Sequence, residues 1–215
     1  MSWFDALTGS ERALFEPRFL RRTFQRDDTI VAQGDSSISV GLVQTGHAAV
    51  KVATPRGASV TVTVLGPRSS FGEIAEITRK GRTATLVALD DVTVRLLPGG
   101  VFEELRHRNP GIDRALLVSL AARLDDLSAQ LAASAYETVE SRTERRLAEL
   151  AESFVEPGGS SASIPLTQDD IAGIVGAARP TVREVLAALV DEGLISTTPD
   201  RVDVPDVEAL RQHGS

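Results

Sequence analysis

Residues 71–86, FGEIAEITRKGRTATL, bring one well-placed cation and several hydrogen-bonding groups into a short length of chain. Gly72 would let the backbone approach a ligand closely, and one helical turn over Glu73–Thr78 would point free N–H groups at an anion. Arg82 could pair with a phosphate, Thr83 could donate a hydrogen bond, and Glu73 could accept one from a sugar hydroxyl. Together these residue types fit a phosphorylated ribose. Taken singly, they are more simply a turn glycine, a surface cation and a helix N-terminal carboxylate.

Residues 167–190, TQDDIAGIVGAARPTVREVLAALV, predict two short helices joined by a tight turn. Thr167 can cap the first helix, and Gly176 lies where the backbone must turn. Apolar residues recur at helical spacing on one side of each helix. This pattern resembles a helix-turn-helix, with an ordinary helical hairpin as the alternative. The side of the second helix that would face DNA carries Arg179, Pro180, Thr181, Arg183 and Glu184.

The composition limits what else the chain can be. Its 215 residues, 42% of them hydrophobic, suit two small domains with real cores. Cysteine is absent, which excludes disulfides and thiolate-bound iron–sulfur clusters. The three histidines, His47, His107 and His213, are far apart in sequence, so we expect no metal or haem. No apolar run is long enough to span a membrane and the start is unlike a signal peptide, so we expect a cytoplasmic protein without membrane contact.

The net charge of −7 is unevenly distributed. Residues 139–215 carry 7 basic and 14 acidic side chains, which accounts for the whole excess. An acidic domain cannot attract DNA phosphates broadly, so DNA contact would depend on a few locally placed donors.

The pattern of the N-terminal half predicts a short helix followed by β strands. Residues 2–15 predict an amphipathic helix that packs on the β domain through Trp3, Phe4, Leu7, Leu14 and Phe15. From Leu20 to Pro98, short runs rich in valine, threonine and leucine alternate as in strands. Turn residues separate the runs at intervals that suit an antiparallel sandwich or jelly roll, namely Gly34-Asp35, Gly46, Arg56-Gly57, Gly66-Pro67 and Asp90-Asp91.

Two helices are predicted next, a short one over 101–108 and a long one after Asn109-Pro110. Leucines on the long helix are spaced by three and four residues, the pattern of a coiled-coil seam: Leu117, Leu120, Leu124, Leu127 and Leu131. We expect a parallel homodimer through this helix. The alternative is that the seam packs only on its own β domain. Ser128 lies beside the seam, where it could reach a partner's ligand.

A hinge is predicted around residues 134–138, followed by a helix whose charged positions read as a solvated surface, namely Glu140, Arg142, Glu144, Arg145, Arg146 and Glu149. Residues 157–163, PGGSSAS, predict a flexible link. Two short runs around Pro199-Asp200 predict a hairpin, or wing, and residues 207–210 a closing helix.

Seven residues of the first segment resemble the phosphate-binding cassette of cyclic-nucleotide-binding domains, in which F-G-E and a small residue precede R-[ST]-A: Phe71, Gly72, Glu73, Ala75, Arg82, Thr83 and Ala84. A jelly roll with this cassette, a leucine-seamed helix and a winged helix-turn-helix, in that order, resembles the cyclic AMP receptor protein and fumarate-nitrate regulator (Crp/Fnr) family of bacterial transcription factors. The resemblance covers nearly the whole chain.

The resemblance implies an α+β protein and a transcriptional regulator without enzyme activity. It implies a jelly-roll sensor domain over 1–110, a dimerisation helix over 111–137 and a winged helix-turn-helix over 138–215. Its partners would be a palindromic double-stranded DNA site, a second copy of the chain and RNA polymerase. Its ligand would be cyclic AMP, with the phosphate and ribose held by Gly72, Glu73, Ile74, Ala75, Arg82 and Thr83, and the purine met by Ser128 of the partner chain.

The sequence departs from the family pattern at four positions. Leu127 stands where cyclic AMP-responsive members have threonine, and Gly81 where the cassette often has proline. The recognition helix reads R-P-T-V-R-E from Arg179, whereas the family's cyclic AMP receptor pattern is R-E-T-V-x-R. A regulator that uses another ligand or none is therefore an alternative. A cyclic-nucleotide-binding regulatory subunit of an enzyme is another, although the chain has no room for a catalytic domain.

Overall fold

The computed structural model describes residues 3–36, 39–54 and 57–214. The chain divides into two compact units, one formed by Met1–Ser59 and Val64–Ser128, and the other by Val60–Thr63 and Ala129–Ser215. Two sequence predictions extend beyond the described residues, because Ser2 of the first helix and Arg56 of one turn lie outside them.

The N-terminal segment is two helices, so the prediction of one helix over 2–15 is wrong. A 3₁₀ helix spans Trp3–Ala6, α1 spans Gly9–Phe15, and a second 3₁₀ turn follows. Thr8 starts the new helix because its hydroxyl accepts the N–H of Glu11, whose carboxylate accepts the N–H of Thr8. Packing on the β domain is confirmed for Trp3, Leu7 and Phe15, which share a core with Val40 and Leu97. Leu14, however, is 52% exposed.

Over the described residues, eight strands make the predicted jelly roll in two four-stranded sheets, β1-β8-β3-β6 and β2-β7-β4-β5. The strands are β1 Leu20–Phe24, β2 Thr29–Val31, β3 Ser39–Thr45, β4 Ala48–Ala53, β5 Ser59–Leu65, β6 Ser70–Phe71, β7 Thr85–Ala88 and β8 Val92–Pro98. The core between them is mainly aliphatic, with Val43, Leu86 and Val94 packed beside Phe71. Alternate residues of these strands point inward to this core.

Three helices complete this part of the chain: α2 Glu73–Thr78, α3 Gly99–Arg108 and α4 Pro110–Tyr136. Helix α2 has the predicted bounds. Helix α3 begins two residues before the prediction, because Gly99 and Gly100 are its first residues. Helix α4 is 27 residues long, and Thr138 caps the next helix, so the predicted break between the two is confirmed.

The C-terminal unit consists of α5 Val139–Phe154, β9 Ala162–Ile164, α6 Gln168–Val175, α7 Arg179–Asp191, β10 Ser196–Thr198, β11 Arg201–Val204 and α8 Val207–His213. Strands β10 and β11 form the predicted wing. They are joined by β9, which pairs with β11 in the order β10-β11-β9. The predicted flexible link over 157–163 is therefore wrong at its end, where Ala162 and Ser163 pair with the wing.

The prediction that the charges of α5 are all solvated is wrong for two residues. Arg142 and Glu144 are each 7% exposed, whereas Glu140 and Glu149 lie at the surface. The helix is amphipathic, but its buried face is broad enough to include these two charged positions. Among the described residues, no helix is long and apolar enough to cross a membrane.

Candidate functional site

Gly72 follows β6 and caps α2 with φ +84°, a left-handed conformation that favours glycine. A Cβ at this position would lie 2.0 Å from Nη1 of Arg82 and 2.6 Å from the carbonyl oxygen of Ser39. A side chain would thus occupy the space into which the guanidinium points. The glycine is required by both the backbone conformation and this close approach.

Arg82 is 4% exposed, so its charge is almost entirely removed from water. Its Nη2 donates to the carbonyl oxygen of Ser39 at 2.8 Å and to the Ser39 hydroxyl at 2.9 Å. Its Nε and Nη1 have no hydrogen-bond partner among the described residues. Burial lowers the pKa of Arg82, against the opposing effect of Asp35, Glu73 and Glu76. An arginine nevertheless stays charged, so the N–H groups of two buried nitrogens remain for an anion.

Glu73, the first residue of α2, is 2% exposed. Its Oε1 lies 2.7 Å from Nη1 of Arg123 on α4, and its Oε2 has no partner among the described residues. Arg123 also donates from Nη2 to the carbonyl oxygen of Ser70 at 3.0 Å. The sequence interpretation missed Arg123, because nothing in a long helical pattern indicates which position reaches the cassette.

The remaining cassette residues differ in exposure. Ala75 is buried at 6% exposure, Ile74 is 37% exposed, and Thr83 lies at the surface. Ser128 is exposed, and its hydroxyl donates to the carbonyl oxygen of Leu124 at 2.8 Å. The structure therefore brings Gly72, Glu73 and Arg82 together through Ser39 and Arg123, neither of which was predicted.

The leucine seam of α4 forms an exposed apolar row. Leu117, Leu124, Leu127 and Leu131 are 68%, 64%, 61% and 74% exposed, and Leu120 is half-buried. Isolated exposed leucines are ordinary on protein surfaces, but a continuous row marks a surface that another molecule covers.

The helix-turn-helix forms as its sequence predicts. Thr167 and Asp170 make a capping box at the start of α6, and Gly176 ends that helix with φ +68°. Helix α7 buries Val182, Leu186 and Leu189. Its helical conformation already includes Arg179, because the capping position is Ala178 and the proline falls in the first turn.

The predicted DNA-reading side of α7 is open. Arg179, Pro180, Arg183 and Glu184 are exposed, and Thr181 is half-buried. Nη1 of Arg179 lies 2.7 Å from Oδ2 of Asp169 on α6, with the two side chains 63% and 41% exposed.

Two of the histidines lie next to carboxylates that are distant from them in the sequence and were not predicted as neighbours. Nδ1 of His47 lies 2.8 Å from Asp90, and Nε2 of His213 lies 2.8 Å from Glu192. In the described part of the chain, no group of three or more histidine and acidic residues is arranged to hold a metal ion.

Two family models match the chain. Residues 21–109 match the cyclic nucleotide-binding domain, and residues 141–213 match the Crp-like helix-turn-helix domain. The cAMP-activated global transcriptional regulator CRP of Pasteurella multocida is 30% identical over 173 residues, 78% of this chain and 81% of that protein. The global nitrogen regulator of a Synechocystis strain is 27% identical over 194 residues, 88% of this chain and 86% of that protein. The crystal structure of the Thermus thermophilus catabolite activator protein superposes with a TM-score of 0.56 at 27% identity, covering 99% of this chain and 97% of that one.

The fold and the two sites define a DNA-binding transcriptional regulator with a cyclic-nucleotide-binding domain. The chain belongs to the Crp/Fnr family, whose members bind DNA and function as dimers.

Proposed function

We propose that this regulator is controlled by a cyclic nucleotide, cyclic AMP, bound at the cassette of its N-terminal unit. The observation that carries the proposal is the buried Arg82 guanidinium, whose Nε and Nη1 have no hydrogen-bond partner in the described part of the chain and lie beside Gly72, which has no side chain. A buried ion without its full set of hydrogen bonds is costly, and a phosphate supplies the missing charge and acceptors. The first N–H groups of α2 add further donors near Ile74 and Ala75.

The ribose would be held on the acidic side of the same site. Oε2 of Glu73 has no partner among the residues that the structure describes, so it can accept a hydrogen bond from a sugar hydroxyl, while Arg123 holds the other oxygen and fixes the carboxylate. Thr83 would donate its hydroxyl to the phosphate. The ion pair between Glu73 and Arg123 thus links the cassette to α4.

The exposed leucines of α4 support a homodimer with this helix as its interface. Two copies packed in parallel would bury Leu117, Leu120, Leu124, Leu127 and Leu131 against one another, which stabilises the dimer by removing apolar area from water. Ser128, one residue beyond Leu127, would then meet the purine bound by the partner chain. Ligand and dimer would be linked because both use α4.

The DNA site would be the exposed side of α7. A dimer of helix-turn-helix units reads two half-sites about one helical turn, roughly 34 Å, apart, so we propose a palindromic site. Arg179 would bind guanine O6 and N7, and Thr181 a phosphate. Arg183 and Glu184 would lie over neighbouring bases, and Pro180 can offer none a hydrogen bond. RNA polymerase is the proposed protein partner, and the cytoplasm, where bacterial DNA lies, the proposed location.

Leu127 favours an alternative in which the regulator binds a ligand other than cyclic AMP, or none. This leucine stands beside Ser128 where cyclic AMP-responsive relatives have threonine, which removes a hydroxyl that could bond the purine. A regulator that binds another ligand, or works without one, would retain the fold and the DNA site.

Calorimetry against cyclic AMP, cyclic GMP and a cyclic dinucleotide tests the proposal directly. Saturable heat with cyclic AMP at one site per chain supports it. Heat with another member of the panel alone replaces the ligand but keeps the site, whereas no heat with any nucleotide contradicts cyclic-nucleotide control.

A further inference from the structure

We infer that Asp169 is a positioning residue for base reading, and that it selects guanine by holding Arg179. The inference rests on the proposed role of Arg179 in binding guanine. Asp169 itself belongs to α6, outside the helix that would enter the groove.

The two adjacent carboxylates at the start of α6 have different tasks. Asp170 completes the capping box, in which its carboxylate accepts the N–H of Thr167 at 3.2 Å and the Thr167 hydroxyl at 2.7 Å. Asp169 has no part in that box. Its Oδ2 instead lies 2.7 Å from Nη1 of Arg179, so it links the start of α6 to the first residue of α7. The first turn of α6 suits both carboxylates electrostatically, but the capping box does not account for the contact that Asp169 makes with α7.

The ion pair leaves the reading edge of the guanidinium available. Arginine carries five N–H donors, and one Nη1 contact leaves donors on Nη2 and Nε for a guanine. A side chain held in this way loses less conformational entropy when it binds the base than one that moves freely in solvent.

The same carboxylate also opposes nonspecific binding. A free arginine on this surface would pair with any backbone phosphate, since phosphate contact carries no sequence information. Asp169 repels a phosphate and holds the guanidinium of Arg179. Arg179 must therefore break this ion pair before it can bind a backbone phosphate. Exposed pairs of this kind are weak, and discrimination should change by about two- to fivefold.

The experiment measures affinity of the full-length protein for the duplex that wild type selects from a random pool. The second duplex carries 7-deazaguanine, which lacks the N7 acceptor, at the guanine assigned to Arg179. Asp169→Asn should reduce the affinity ratio between the two duplexes about two- to fivefold. It should also steepen the salt dependence on unrelated duplex by about two units of log–log slope for the proposed dimer, because one more arginine of each protomer reaches a phosphate.

Two control variants separate positioning from charge. Asp169→Glu restores the carboxylate and should restore much of the discrimination. Asp191→Asn removes one exposed negative charge from the far end of α7 and should leave the affinity ratio unchanged. An equal loss in Asp191→Asn would show that net charge is responsible and overturn the inference.

Combining Asp169→Asn with Arg179→Ala distinguishes the two ways to fail. If Arg179→Ala abolishes the N7 preference while Asp169→Asn retains it in full, Arg179 reads guanine and only the role of Asp169 is wrong. If Arg179→Ala itself retains the preference, the reading role proposed for Arg179 fails as well. If the inference is right, adding Asp169→Asn to Arg179→Ala should cause no further change in the affinity ratio between the two duplexes.

Discussion

Arg82 and Arg179 are the central cations of the two units, and their surroundings are opposite. Arg82 is 4% exposed, with two of its nitrogens unpaired among the described residues. Arg179 has a side chain that is 63% exposed and is already paired with a carboxylate. Arg82 is buried without a bound anion, whereas Arg179 is exposed to solvent and pairs with Asp169.

This difference indicates how much each site should contribute. A buried, incompletely bonded charge makes a ligand's phosphate worth several kcal/mol, because bringing the phosphate in removes an existing penalty. An exposed cation exchanges water for a base at little net gain, while Asp169 keeps its contact with Nη1, so DNA recognition is assembled from small increments. Substitutions in the cassette should therefore abolish binding, whereas those on α7 should shift preference.

The largest effect is expected for Arg82→Leu. Removing the cation leaves a bound cyclic phosphate buried without a counter-charge, at a cost of about 3 to 5 kcal/mol. Calorimetry should show cyclic AMP binding weakened by two orders of magnitude or more. Thermal unfolding serves as the folding control. A folded Arg82→Leu protein that binds cyclic AMP like wild type would contradict the claim that the buried Arg82 holds the phosphate.

Leu124→Glu should break the dimer. Two facing carboxylates in an apolar seam would repel each other and lose their solvation, which outweighs the remaining leucine contacts. Light scattering should change from dimer to monomer mass. Leu14→Glu is the matched control, since Leu14 is a 52% exposed leucine outside the seam and its replacement should leave the dimer intact. A wild-type monomer would refute the proposed interface.

Arg179→Ala should weaken discrimination at one base pair of each half-site by about 1 to 3 kcal/mol. Random-site selection at low salt, with and without the substitution, measures this effect. The selected site should keep guanine under Arg179 in wild type and lose that preference in the variant. It should also differ from the cyclic AMP receptor half-site at positions facing Pro180 and Glu184. Selection of that half-site unchanged would show that the reading side is wrongly assigned.

The smallest effect is expected at Glu144. Burial raises the pKa of Glu144 above its ordinary value, while His213, with Nδ1 at 3.6 Å, opposes the shift; Glu140 and Glu192 reinforce it. Since the folded-state pKa is raised, stability is greatest below the unfolded value and falls as pH rises through the folded one. Glu144→Gln should therefore gain stability relative to wild type at higher pH, by about 1 kcal/mol.

Urea unfolding between pH 5 and pH 8 would measure that trend. Glu149→Gln, an exposed position on the same helix, should not change the pH dependence. A Glu144→Gln protein that is less stable than wild type throughout would show that its pairing with His213 outweighs the cost of burial.

Local features were the ones the sequence could predict. The capping box at Thr167, the left-handed Gly176 and the bounds of α2 depend on residues a few positions apart, so their patterns are visible in the chain. The cassette motif likewise marked Gly72 and Arg82, because a motif preserves the chemistry of a site in a short segment.

Tertiary features escaped the same reasoning. Arg123 reaches Glu73 from α4 across about 50 positions, and the exposure of Arg142 and Glu144 depends on what packs over α5. Strand β9 has only three residues, too few for an alternating pattern to be recognised. The break at Thr8 was concealed because apolar residues continue on both sides of it.

The central claim is that occupancy of the buried cassette controls the exposed DNA site, and a cyclic AMP titration of DNA affinity tests it most directly. Fluorescence anisotropy would follow the wild-type protein on its selected duplex at fixed salt, beside Arg82→Leu. The account predicts a saturable change in wild-type affinity, with a midpoint matching the calorimetric Kd, and no change in the variant. Equal DNA affinity of wild type at zero and saturating cyclic AMP, despite calorimetric binding, would contradict it.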